Sequence, residues 1–558
     1  MGPAYNLCHK IGCVEARLPM MTRPILKFNE TRVGGHLHPC ERASMASRVR
    51  ITPLDGIGRV GGATWLIQQG RSAFLIDFGS DLQASGRMLG GRLRPRASRG
   101  IEDYLGIGLL QPFDGLYRTD LVIDDDVFED AQDVSVTDLL LSHAHHDHSG
   151  NLFALDPLTR IHTSSITAAM LFAEMTTSGG LFSESTHYQL REPHPTEQGI
   201  LTLQKKALTM SRPCSLTDGD PSAAMRDLWK QAGSDEGLQR SDLVVAGMPF
   251  ESWGVDHSVF GACGFIVHSD DQGAIAFAGD LRAHGSEAEL TETFINRLAK
   301  LKPRVLILEG TRLGREDEPR VTEAQCRAEI LELVRGARRR LVIATVSPKH
   351  LERLASFLNA AQETGRQIVV QPRTMFLLEA VAAAKPFYDL ASLDGIAVYD
   401  PPMTTRPGWH RDLRERHPKR LVHPDDIQAR QGKFIYMHGF SKTMEWTDFK
   451  PFGALYVHSA SGAYDDSARN RLGIQREWIE LYKIETAGIK FGPKGGLEFD
   501  QRLNPSGHMH PRDLKELLHR VQPASVLVCH SDQPELMRDL LPQGTRLVLP
   551  ENGKTFRL

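Results

Sequence analysis

The chain has 558 residues, 41% hydrophobic and 24% charged, an ordinary globular balance that excludes a mainly disordered or fibrous protein and allows about two to four domains. With 66 Lys and Arg against 69 Asp and Glu, the formal charge is −3, which excludes a chain-wide basic coat and leaves room for a local basic groove. No apolar run approaches the roughly 18 residues of a membrane helix. No secretory leader is visible, and seven irregularly spaced cysteines make no disulfide framework, so a reducing cytoplasm is expected.

Residues 1–47 carry scattered Pro, Gly and Arg without a period and read as a weakly ordered N-terminal extension. Its Cys8, His9, Cys13, His36, His38 and Cys40 fit no common zinc spacing. From Arg48 the pattern turns strand-like, with short apolar runs at 49–53, 64–68 and 72–78 and glycine turns between them. Residues 80–134 interrupt it with basic GRLRPRASRG and then acidic DLVIDDDVFED, and read as an inserted loop-and-helix region. A second polar insertion is expected at about 211–242.

Five short apolar runs each end at a titratable residue. SAFLI precedes Asp77, DLLLS precedes His143, AIAFAG precedes Asp280, RVLIL precedes Glu309 and SVLVC precedes His530. Runs of this length suit buried strands, and groups at the C-terminal ends of core strands are the usual layout of an α/β site. Between about 314 and 495 helix and strand alternate. Thr322 to Gln325 forms a capping box, and Cys326, Ile330, Leu333, Val334 and Ala337 then share one helical face. The run 341–346 is a strand ending at Ser347, Leu351, Leu354, Ala355 and Leu358 mark a helix, and 368–370, 434–437 and 454–457 are further strands. This alternation predicts a parallel sheet and a second α/β domain.

The segment SHAHHDHSG supplies His143, His145, Asp147 and His148 as H-x-H-x-D-H. Neutral imidazoles and carboxylates are ligands for Zn²⁺ or Mn²⁺. The two spaced histidines can face one ion and the Asp–His pair a second, and ions about 3.5–4 Å apart can clamp both oxygens of a displacement. VDHSVFG offers His257, AGDLRAHG offers Asp280 as a bridge, and LVCHSD offers His530. Taken singly, His257 or His530 would be an ordinary packed or surface histidine.

This series of motifs resembles the metallo-β-lactamase superfamily, with Asp77 in LIDFG matching its first motif, which supports the metal loop without binding metal. DHSVFGACGF and AGDLR are similar to segments of ribonuclease J-like enzymes. Glu309 in LILEGT, His508 in NPSGHMH and His530, which follows His508 by 22 residues, match the three added motifs of the β-CASP branch. The resemblance covers roughly 48–558 and implies an α/β fold: a metallo-β-lactamase αββα sandwich with an inserted α/β (β-CASP) domain. The implied boundaries are 48–313 for the first part of the sandwich, 314–495 for the inserted domain and 496–558 for the return. The chain ends 28 residues after His530, so the further C-terminal domain that ribonuclease J uses in assembly is expected to be absent.

Carried over, the resemblance implies two Zn²⁺ (Mn²⁺ as the alternative), one on His143, His145 and His257 and one on Asp147, His148 and His530, with Asp280 bridging. It implies a metal-bound hydroxide attacking phosphorus, His508 protonating the leaving oxygen or holding the scissile phosphate, and Glu309 orienting ligands or His508. Ser347, Lys349, His350, Ser459, Ser461 and Gly462 follow strand ends in the second domain and are candidate phosphate contacts. Arg92, Arg94, Arg96 and Arg99 are candidates to line the cleft from the insertion. The expected partner is single-stranded RNA, with no membrane and a homodimer as the candidate assembly. A DNA-directed nuclease of the same branch, a small-molecule metallo-hydrolase and a non-catalytic scaffold stay open as alternatives.

Overall fold

The computed structural model describes residues 48–558 apart from 71, 130, 270–272 and 464–465. The extension 1–47, with its cysteines and histidines, lies outside the described residues. Ser47–Leu558 makes one compact unit, a mixed α/β structure with several sheets.

The first sheet has eight strands in the order Leu238–Arg240, Cys214–Leu216, Arg160–Thr163, Asp138–Leu140, Ser72–Ile76, Thr64–Gln69, Arg50–Asp55, Phe556–Arg557. The second has seven: Val244–Val245, Met248–Gly254, Cys263–Ser269, Gly273–Phe277, Val305–Glu309, Ser525–Cys529, Arg546–Val548. Side chains alternate across each strand, and the alternation sorts them into layers. Trp65, Ile67, Phe74 and Ile76 meet Phe265, Ile275, Phe277 and Ile307 in a core between the sheets. On the far side of the second sheet, Ile266, Ala276, Leu306 and Val526 share a core with Phe294, Leu298, Leu514 and Leu518 from the helices Ala288–Leu301 and Pro511–Val521. On the far side of the first, Leu66 and Leu75 share one with residues of helix Ser165–Ser178. The result is a helix–sheet–sheet–helix sandwich.

A third, all-parallel sheet lies in the sequence between the adjacent strands Val305–Glu309 and Ser525–Cys529. Its order is Leu421–Val422, Ile396–Tyr399, Gln367–Val370, Phe434–His438, Val342–Thr345, Leu455–His458, Glu485–Ala487. Helix Glu323–Gly336 starts with the expected capping box, in which Thr322 accepts from Gln325 N–H, and buries Cys326, Ile330 and Val334. Leu333 is only partly buried. Helix Pro372–Ala384 packs on helix Ser165–Ser178, so one apolar core runs from the sandwich into the inserted unit.

At 211–242, where a polar insertion was expected, the chain instead contributes to the first sheet. Cys214–Leu216 and Leu238–Arg240 extend the first sheet in parallel around helix Ala223–Gln231, whose Trp229 is fully buried and stacks on Phe172 at 4.6 Å. Three-residue strands are too short to display a period. His187–Pro195 and Leu201–Ser211 form a separate two-stranded ribbon. Among the described residues no helix is long and apolar enough to cross a membrane. Cys214, Cys263, Cys326 and Cys529 are free and buried.

A buried ionic cluster ties the inserted unit to the sandwich. Arg282 donates to Asp256 (3.0 Å), Glu323 (2.7 Å) and Glu352 (2.6 Å). Arg353 donates to both oxygens of Glu323 (2.9 and 2.7 Å). Nearby, Tyr388 of the inserted unit donates its hydroxyl to Glu287, at the N-terminus of helix Ala288–Leu301, and the second Glu287 oxygen has no partner. Burial pushes Glu287 up to about 7, against the opposing Tyr388 bond. The folded protein therefore keeps a proton there that the unfolded chain releases above its ordinary value near 4.5. Stability should fall as pH rises from about 4.5 to 7 and level off above. Glu287→Gln should match the wild type near pH 4.5 and exceed it near pH 8 by at most about 3 kcal/mol. Urea unfolding at several pH values reads this, and parallel pH profiles for the two proteins would refute it.

Candidate metal centre

Strand ends of both sheets converge on one point. His143, His145, Asp147 and His148 follow Asp138–Leu140, the last two lying in the one-turn helix His146–Ser149. Asp77 follows Ser72–Ile76, Asp280 follows Gly273–Phe277, Glu309 ends Val305–Glu309 and His530 follows Ser525–Cys529. The metal loop presses against the turn after Asp77. Phe78 N–H donates to His148 O (2.8 Å) and Ala63 N–H to Asp147 O (3.1 Å). A Cβ at Gly79 would stand 1.7 Å from Asp147 O, so only glycine fits there.

Partners outside the centre set the direction of four rings. His148 Nδ1 bonds Asp77 Oδ2 (2.7 Å), His257 Nδ1 bonds Gly507 O (2.6 Å), His143 Nδ1 lies 2.9 Å from Ser142 Oγ, and His530 Nδ1 lies 2.8 Å from Thr311 Oγ1. Each of the four turns Nε2 inward, whereas His145 presents Nδ1. His145 Nδ1 lies 3.2 Å from His143 Nε2 and 3.1 Å from His257 Nε2. His530 Nε2 lies 3.0 Å from Asp147 Oδ2. Asp280 Oδ2 sits between these groups, 3.2 Å from His148 Nε2, 3.7 Å from His530 Nε2, 3.9 Å from His143 Nε2 and 4.0 Å from His257 Nε2.

This donor set fits metal ions. Ligands about 2.1 Å from a tetrahedral ion are about 3.4 Å apart. His143, His145 and His257 form one compact group, Asp147, His148 and His530 another, and Asp280 groups with members of both, with all donor atoms in a group within 4.8 Å of one another. His148 Nε2 is buried without a hydrogen-bond partner in the protein. Holding one ring nitrogen from behind so that the other faces inward is the arrangement of metal-binding histidines.

The electrostatics agree at three of the rings, whereas at His148, against burial, Asp280 and Asp77 raise the imidazole well above its ordinary range. Burial drives His143 and His257 well below the ordinary imidazole range and His145 down to about 4, which favours the neutral form that binds metal. Burial opposes ionisation of Asp280, yet the imidazoles of His530, His148 and His508 hold it well below the carboxylate range. Against burial, Glu309 and Asp280 raise His508. His508 Nδ1 lies 3.2 Å from Thr311 Oγ1, 3.4 Å from Glu309 Oε1 and 3.8 Å from Asp280 Oδ2. Glu309 accepts Thr311 N–H (2.9 Å) and Met509 N–H (3.2 Å), and so steadies the loop that carries His508.

The candidate phosphate contacts part company. Ser459 is buried, where its hydroxyl donates to Leu503 O (2.5 Å) and accepts from Arg353 (2.8 Å). His350 caps helix Leu351–Glu363 and lies 3.3 Å from Glu323, inside the ionic cluster. Both are occupied internally. Lys349 donates to Ala144 O (2.6 Å) and Glu174 (2.7 Å), bridging the inserted unit to the metal loop. Ser347 and Ser461 are exposed and Gly462 is partly so. Sequence reasoning missed Ser142, Thr311 and the Gly507 carbonyl, each adjacent to a motif residue, and the cluster of Asp256, Arg282, Glu323, Glu352 and Arg353, which no local pattern announces.

No family model and no curated protein matches the chain. Among solved structures, a protein of unknown function from Enterococcus faecalis V583 is similar, with TM-score 0.65 and 20% identity over 92% of this chain and 100% of that one. That likeness concerns the fold alone. A metallo-β-lactamase fold protein, YhfI from Bacillus subtilis, has TM-score 0.21 and 13% identity over 47% of this chain and 71% of that one, too distant to carry an argument.

Asp77 accepts from Ser142 N–H (2.7 Å), Ser142 Oγ (2.8 Å) and His148 Nδ1. Asp77→Asn should weaken metal retention about 10- to 100-fold, read by competition with a chromogenic chelator. Unchanged retention in a folded variant would rule out this supporting role.

Proposed function

We propose that the chain is a metal-dependent phosphodiesterase of the metallo-β-lactamase superfamily, in its β-CASP branch, and that it cleaves RNA as a ribonuclease J-like nuclease. The observation that carries this reading is the pair of ligand groups sharing Asp280, with His508 beside them and Glu309 behind it. The helix–sheet–sheet–helix sandwich, with a parallel sheet inserted between Glu309 and His508, supports the same reading.

His143, His145 and His257 would hold one ion and Asp147, His148 and His530 the other, with Asp280 between them. Two Zn²⁺ or Mn²⁺ ions would supply Lewis-acid neutralisation of phosphate charge and a nucleophile from water at neutral pH. The protein's own part is to orient and to move protons. Asp77, Gly507 and Thr311 fix the rings. His508, whose imidazolium form Glu309 and Asp280 favour against burial, has its Nδ1 turned to Thr311 and Glu309. Its Nε2 is left to face a phosphate oxygen or to give a proton to the leaving oxygen.

Matched end-labelled single-stranded RNA and DNA, incubated with Zn²⁺ or Mn²⁺, test the reading. RNA should be cleaved, and His145→Ala should abolish cleavage. His508→Ala should keep its metal and lose about 10²- to 10⁴-fold in kcat. Intact RNA in the presence of metal-loaded wild type, checked by elemental analysis, would overturn the assignment, and cleavage of DNA alone would move it to a DNA-directed nuclease.

A further inference from the structure

The insertion after Asp77 starts on the metal loop and ends on the inserted unit. Ser80 N–H donates to His146 O (3.1 Å). Asp81 then caps helix Leu82–Leu89, accepting from Ala84 N–H (2.8 Å) and pairing with Arg59. Gly90, in left-handed backbone (φ 56°), ends the helix. The next residue reaches the inserted unit, since a Cβ on Gly91 would lie 3.0 Å from Ser467 Oγ in the first turn of helix Asp466–Leu481. The two helices are in contact. Leu82–Leu89 buries none of its residues, so its caps hold it and apolar packing does not. It is a strap from the metal loop to the inserted unit.

The strap's charge is uneven. Arg96 and Arg99 pair with Asp103 and Glu102. Arg87, Arg92 and Arg94 are exposed and have no carboxylate partner among the described residues. Arg471, one turn into helix Asp466–Leu481, bonds Ser467 Oγ (2.9 Å) and likewise has no carboxylate partner among them. Unpaired guanidinium groups thus gather along a bridge that begins at the candidate metal centre, in a chain whose formal charge is −3.

We propose that this strap is a docking surface for single-stranded RNA, with Arg87, Arg92 and Arg94 pairing with successive backbone phosphates beyond the metal centre. The inference rests on the nuclease reading and adds a place where the polymer is held. A strand long enough to reach the centre continues past its rim, where its phosphates repeat. The guanidinium fork suits phosphate oxygens, and such contacts position the strand without reading its sequence. A small substrate would not reach the strap.

The test uses metal-loaded protein and an uncleavable 2′-O-methyl oligouridylate of roughly 20 nucleotides. Binding is followed by anisotropy between about 50 and 200 mM KCl, beside hydrolysis of bis(p-nitrophenyl) phosphate. Three lost contacts at about 0.7 each should lower the slope of log K against log salt by about 2 in Arg87→Gln/Arg92→Gln/Arg94→Gln. Hydrolysis of the small diester should not change. Equal slope and affinity in the variant, or no binding by the wild type, overturns the strap. A wild type that binds with the salt slope the variant loses, yet hydrolyses no diester, supports the strap and overturns the nuclease reading.

Discussion

Arg282 and Arg353 carry charges that solvent does not reach, and the geometry around the candidate metal centre depends on how those charges are paired. Arg282 stands two residues after Asp280, and its partner Asp256 stands one before His257. Its other partners, Glu323 and Glu352, belong to helices of the inserted unit. One side chain therefore fixes the loops of Asp280 and His257 and the neighbouring unit together. The backbone is drawn in as well: Gly285 N–H donates to Asp256 (2.7 Å) and Ser286 N–H to Glu352 (2.9 Å). Ions taken out of water lose several kcal/mol of hydration each, and only close, fully bonded geometry offsets that loss. Removing one partner strands a charge at about 3–5 kcal/mol, so the cluster permits only a narrow range of positions for the inserted unit. Apolar packing between helices Ser165–Ser178 and Pro372–Ala384 resists separation but tolerates sliding far better than a cluster of charges does.

The centre itself stores strain. Asp77 and His530 both adopt left-handed backbone, with φ of 56° and 50°. For residues other than glycine this costs about 1–2 kcal/mol each. Both sit where a buried strand turns toward the centre, and both are held by several bonds, Asp77 by Ser142 and His148, His530 by Thr311. The compensation is local and polar, which explains why small hydroxyl side chains flank the ligands.

The candidate ligands His143, Asp280 and His530 were legible in the sequence because each follows a short apolar run, and strand ends are visible without knowing how the strands pair. The capping box at Thr322 and the buried Cys326, Ile330 and Val334 that follow it were legible because helix periodicity is local. The short strands Cys214–Leu216 and Leu238–Arg240 were not, since three residues form a strand only through a neighbour's hydrogen bonds. The ionic cluster was hidden for a different reason. Arg282 and Glu352 are 70 residues apart, and each alone looks like an ordinary surface charge. The internal partners of Ser459 and His350 were hidden for the same cause, because a hydroxyl or imidazole after a strand end serves a ligand or a buried guanidinium equally well.

In a parallel sheet the C-terminal strand ends gather the turns that meet ligands, and two of those of the inserted sheet face the sandwich at 345–350 and 458–463. The turns divide their polar groups. Ser459 and His350 point inward and join the cluster around Glu323, while Lys349 reaches Ala144 O between His143 and His145. Ser347 and Ser461 stay exposed. The inward half of each turn, tied to Arg353 and Glu323, sets the position of the outward half and of its exposed hydroxyls.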